Sequence, residues 1–154
     1  MEEEASPFDA DCIKAEKIAL RLIARAEQSV SGLTAKLEKR GVDASAARQV
    51  ISSLLDRELL DDERFAERWI NAQLRGKKAP SPLWLLVSLE KRGLKRETSL
   101  SAIGKVLDEE TELSLIVEFI EKIDVRFKEN SGILKRKLRH ERFSIEAIDR
   151  FFDG

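Results

Sequence analysis

Leu37-Glu-Lys-Arg-Gly41 recurs unchanged as Leu89-Glu-Lys-Arg-Gly93, 52 residues later, and an apolar residue follows each copy, Val42 and Leu94. A weaker third copy, Leu138-Arg-His-Glu-Arg142 followed by Phe143, lies 49 residues beyond the second. A leucine stands four residues before each leading leucine, at Leu33, Leu85 and Leu134. Downstream, Val50 and Ile51 correspond to Ala102 and Ile103, then to Phe151 and Phe152. Five residues rich in charge can recur by chance, but chance does not also keep flanking leucines and downstream apolar pairs in register. A shared period of about 50 residues is the mark of a repeat array. Each copy reads as three helices, over 13–59, 61–108 and 109–153, behind an acidic flexible tail at 1–12. The expected fold is all-α, an elongated tandem array of three three-helix repeats in which each unit buries a small core and neighbours add contacts.

The stretches around these copies carry the helical period. Ala15, Ile18, Ala19, Leu22, Ile23 and Ala26 follow the i, i+3, i+4, i+7 spacing of one helix face, as do Ala47, Val50, Ile51, Leu54 and Leu55. Leu113, Ile116, Val117 and Ile120 begin the same pattern again. No stretch sustains a period of two, so strands are not expected. Gly41 and Gly93 stand where a left-handed cap ends a helix, with Val42 and Leu94 folding back on the last turn. Asp43, Asp61, Ser81 before Pro82, and Ser144 are placed to cap the helices that follow them.

Composition excludes several classes. Of 154 residues, 42% are hydrophobic, enough for a core, and 37% are charged, which suits helices with many wet faces. The formal net charge is −1, so attraction to a polyanion has to come from local patches. One cysteine, Cys12, allows no internal disulfide and fits the cytoplasm. The acidic start, Met1 to Asp11, lacks the basic region of a signal peptide, and no apolar run reaches the ~18 residues of a membrane span. The single histidine, His140, sits in a basic run and reads as a surface residue. No zinc spacing, nucleophile elbow or phosphate loop is present, so the chain reads as a binder without cofactor, not as an enzyme.

Three features resemble the RecX family of bacterial regulatory proteins. They are the helix ends Lys39-Arg-Gly-Val42 and Lys91-Arg-Gly-Leu94, the junction Leu59-Leu-Asp-Asp-Glu-Arg-Phe-Ala-Glu-Arg-Trp69, and the closing segment Leu138 to Phe152. The junction is the most family-specific of the three, and the resemblance runs from about Ala19 to Phe152. Two departures stand out. Where many relatives carry a glycine-rich, arginine-bearing stretch, this chain has Arg75-Gly-Lys-Lys-Ala-Pro-Ser-Pro-Leu-Trp84, and the third unit has Arg142 in place of glycine. The resemblance implies a cytoplasmic monomer that binds RecA and its filament on single-stranded DNA. It implies restraint of recombinase activity, and so an effect on homologous recombination, DNA repair and the SOS response. The alternative is a helical nucleic-acid-binding module that works without RecA.

The residues themselves place candidate contacts in local basic clusters. They are Lys36, Lys39 and Arg40; Arg75, Lys77 and Lys78; Lys91 and Arg92; and the densest run, Lys135, Arg136, Lys137, Arg139 and Arg142. Each is placed to touch phosphates or the acidic groove of a filament, or simply to face solvent at a helix C-terminus. Trp69 and Trp84 are candidates for stacking on bases, but Trp69 follows Phe65 by four residues on an apolar face and reads as core, and Trp84, nearer a turn, is also expected to be buried. The last helices of units one and three, with one arginine each, make poor major-groove readers.

Overall fold

The computed structural model describes residues 6–154, and among them every element is a helix. In chain order they are α1 (Pro7–Arg25), α2 (Val30–Lys39), α3 (Ala44–Asp56), α4 (Asp62–Leu74), α5 (Pro82–Lys91), α6 (Arg96–Val106), α7 (Glu109–Glu121), α8 (Val125–Lys128), α9 (Ser131–His140) and α10 (Ile145–Asp153). They form two compact units. One gathers residues 6–65 together with Arg92–Leu94, and the other gathers Ala66–Lys91 with Lys95–Gly154.

The chain enters its first helix earlier than the sequence suggests. The expected tail over 1–12 is already helical from Pro7, because Ser6 and Asp9 form a capping box and Pro7 occupies the first helical position. The Asp9 amide donates to Ser6 Oγ at 3.2 Å, and the Ser6 amide donates to the Asp9 carboxylate at 3.3 Å. The rest of the expected tail, residues 1–5, lies outside the described residues.

In the first unit α1, α2 and α3 pack on one another around Ala15, Ala19, Leu33, Leu37, Ala47, Val50, Ile51, Leu54 and Leu60. The small alanines of α1 and α3 allow close approach, and the leucines fill the centre. The Leu59–Trp69 junction closes this unit through hydrogen bonds as well. Asp61 Oδ1 accepts from the Arg64 amide at 3.0 Å and so starts α4. Asp62 Oδ1 accepts from the Val30 amide at 2.8 Å, satisfying an orphan donor in the first turn of α2. Arg64 Nε donates to Glu27 Oε1 at 2.7 Å, and its NH1 donates to the Glu58 carbonyl at 3.2 Å. Two adjacent aspartates therefore serve two different helices.

In the second unit α5 packs on α6, and α10 packs on α7 and α9. Two buried tethers join segments far apart in sequence. Glu112 accepts from the Ser144 amide at 2.9 Å and from Ser144 Oγ at 2.6 Å. Ser81 Oγ donates to Glu141 Oε2 at 2.5 Å while the Leu83 amide donates to the Glu141 carbonyl at 2.9 Å. The one-turn helix α8 was not foreseen. Asp124 starts it by accepting from the Arg126 amide at 2.9 Å and clamps the Arg126 guanidinium, with NH2 at 2.8 Å from Oδ2.

The quoted helix ends behave alike. At the end of α2, Gly41 has φ +82°, the Val42 amide donates to the Leu37 carbonyl and the Gly41 amide to that of Glu38, which is a Schellman cap. At the end of α9 the same two bonds run from Phe143 to Leu138 and from Arg142 to Arg139. Arg142 adopts φ +66° to make them. Leu33, Leu37, Leu85, Leu89, Leu134 and Leu138 are all buried. In the last helix, however, Phe151 and Phe152 are only half-buried, and Ala147 and Ile148 supply the core contact instead.

Candidate functional site

The basic residues marked out by the sequence do not form one patch. Lys36 is tied down locally, its Nζ donating to Gln28 Oε1 at 2.8 Å, where Gln28 is itself buried and bonded to the carbonyls of Leu22 and Ala26. Lys39 is exposed at the end of α2. Arg40 lies back on its own helix, with NH1 at 3.4 Å from the Lys36 carbonyl, and lines a small polar depression with Arg21 and Arg25 of α1. Arg21 and Arg25 had escaped notice because their helix reads as an apolar stripe. Their i, i+4 spacing was the available signal. Lys91 and Arg92 are exposed at the end of α5, as are Arg75 and Lys77 after α4.

The second unit brings the rest of the cluster against aromatic rings. Trp84, on the first turns of α5, is 48% exposed rather than buried. Its ring stacks on Trp69 of α4 with centroids 5.8 Å apart and planes at 19°. Trp84 lines a hollow of about 410 Å³ together with Gln73, Lys78 and Phe119. A second hollow holds Phe119, Ile123, Arg136, Lys137 and His140. Phe119 and Glu141 line both, so the two hollows adjoin, and together they make a trough. Glu141 is the only acid in the lining, and one of its oxygens is already engaged by Ser81.

Helix α9 presents its cations in two ways. Lys137 Nζ lies 4.9 Å from the centre of the Phe127 ring, and Lys135 Nζ lies 5.1 Å from that of Phe152. These cation–π contacts hold the long stems against the surface. Arg136, Arg139 and Arg142 are exposed. The spacing of the run therefore splits by helix geometry into lysines anchored on rings and arginines open to solvent. His140 is exposed beside them.

Nothing in the trough is arranged for bond-making chemistry. It holds no pairing of nucleophile and base. Burial and the nearby Asp9 and Asp11 push the Cys12 thiol above its ordinary range, which disfavours a reactive thiolate. Among the described residues no group of histidine, cysteine and carboxylates is placed to hold a metal, and no helix is long and apolar enough to cross a membrane. The arrangement is suited to binding an extended, negatively charged partner.

Residues 15–54, which comprise most of the first helical bundle, match the family model described as RecX, first three-helix domain. The regulatory protein RecX of Treponema pallidum is 32% identical over 143 residues, covering 93% of this chain and 86% of that protein. The chain belongs to the RecX family. The regulatory protein RecX of Mycolicibacterium smegmatis is 32% identical over a shorter stretch of 95 residues, 59% of this chain and 48% of its own length. The fold agrees with that of RecX from Lactobacillus salivarius, whose crystal structure gives a TM-score of 0.71 at 19% identity and covers 94% of this chain and 96% of that one. A second crystal structure of a regulatory protein RecX gives 0.68 at 14% identity over 99% and 80% of the two chains. In the junction that resembles the family, Asp61 and Asp62 fasten the starts of two helices and Arg64 ties the connecting segments at Glu27 and Glu58.

Proposed function

We propose that this protein binds RecA and the filament RecA forms on single-stranded DNA, and that it restrains recombinase activity. Similarity to a regulatory protein RecX over nearly the full chain carries this reading. Exposed cations within each unit support it. Solvent-exposed cations sit at the ends of α2, α5 and α9, where helix dipoles also favour them, and a basic aromatic trough lies in the second unit. The three sequence copies over 13–59, 61–108 and 109–153 serve as three contact modules. Modest contacts held on one chain act together through effective concentration, which suits a polymer as partner. The protein works as a monomer in the cytoplasm and by binding alone, with no chemical step of its own.

The test is co-sedimentation of the purified chain with RecA, with and without single-stranded DNA. Recovery with RecA above that seen with DNA alone supports the reading. Recovery that follows the DNA and ignores RecA contradicts it and favours the RecA-independent module.

A further inference from the structure

We propose that the trough in the second unit is a stacking site for single-stranded nucleic acid, in which an unpaired base lies on Trp84 while Lys78, Arg136 and Lys137 hold the adjoining phosphates. The site does not depend on RecA, so it goes beyond the function proposed above.

Trp84 is the first observation. The sequence leads one to expect Trp84 to be buried, yet the residue is 48% exposed. Its other neighbour is Trp69, nearly parallel at 5.8 Å. An indole backed by a second indole is a flat platform that does not swing inward. Such a platform is sequence-tolerant, because every base has a face to stack.

Charge is the second. Three cations, Lys78, Arg136 and Lys137, line the trough, while Glu141, the one acid among its described lining residues, already accepts from the Ser81 hydroxyl. The Lys137 ammonium lies over the Phe127 ring, so the side chain is already held at the rim of the hollow and less freedom is lost when it turns to a phosphate. Cations flanking an exposed aromatic platform, in a hollow rather than on a flat face, are what a single strand requires. A duplex covers the faces of its bases and gains only the phosphate contacts. An acidic peptide also meets the cations, but its carboxylates gain nothing from a flat ring.

The experiment uses the full chain without RecA. Tryptophan emission is titrated with an oligothymidylate, an abasic oligomer of equal length, a duplex and polyglutamate. The oligothymidylate should quench emission saturably and bind at least tenfold more tightly than the abasic oligomer, the duplex or the peptide. Trp84→Ala should weaken oligothymidylate binding roughly tenfold, and Trp84→Phe should retain most of it. Arg136→Ala with Lys137→Ala should flatten the dependence on salt. Equal affinity for the abasic oligomer or polyglutamate overturns the site, as does a Trp84→Ala protein that melts normally and binds as before. If Trp84→Ala does not fold, the abasic comparison and Trp84→Phe decide. A parent chain that shows no saturable binding of oligothymidylate yet still co-sediments with RecA would reject the stacking site and leave the RecA reading standing.

Discussion

Arg142 makes a backbone turn that the other two copies assign to glycine. At φ +66° its side chain crowds the following carbonyl, a penalty of about 1 kcal/mol or somewhat more for a residue with a Cβ. Arg142→Gly should therefore raise stability in urea by roughly 0.5 kcal/mol, because the larger freedom of glycine in the unfolded chain offsets part of the gain. The converse changes discriminate between two glycines of equal backbone angle. A Cβ at Gly41 meets open space, so Gly41→Ala carries only the left-handed penalty of about 1–2 kcal/mol. A Cβ at Gly93 falls on Ser31 Oγ and lies 2.7 Å from Ser31 Cβ, so Gly93→Ala should lose clearly more than Gly41→Ala. Equal losses in parallel melts would contradict the close approach. Both glycines were legible in the sequence, because a left-handed helix end has few other solutions. The exposure of Trp84 was not, since periodicity says which face a residue shares but not what covers that face.

Helix boundaries depend on capping, and most of the caps could be read directly. Asp43, Asp61, Ser81 and Ser144 each accept an amide of the following helix. What escaped were the partners distant in sequence. Glu112 reads as one of many acids at the start of α7, yet it is buried and accepts twice from Ser144 at the start of α10. Glu112→Ala should destabilise the second unit by about 2 kcal/mol, by leaving the Ser144 amide without its acceptor. Glu112→Gln, which keeps an acceptor for the amide and gains a donor for the hydroxyl, should cost less, as read by thermal melting of both variants. The start of α7 also carries an acid-sensitive element. The Thr111 hydroxyl and amide hold the Asp108 carboxyl below its ordinary range. A depressed carboxylate contributes its stability above the unfolded pKa of about 3.9 and loses it as pH falls through the lower folded value. Asp108→Asn should behave like the parent near neutral pH and lose less on acid titration, because asparagine also caps well.

At the scale of the whole molecule, the all-α class followed from one repeated pentapeptide and its register of leucines, because a core position has to recur wherever the same helix packing recurs. The functional surface was harder to read. The basic run of α9 was visible, but its division between ring-anchored lysines and open arginines depends on Phe127 and Phe152, which belong to other helices. Trp84 and Arg136 come from different helices and line neighbouring hollows that share Phe119 of a third, an arrangement that exists only in the folded chain. The restraint proposed above should act on RecA's turnover. The most direct measurement is the DNA-dependent ATPase rate of RecA on single-stranded DNA, titrated with the purified chain. The rate should fall in a saturable way at amounts comparable to or below those of RecA. A rate unchanged across the titration, at concentrations where RecA remains assembled on the DNA, would contradict the proposed restraint of RecA.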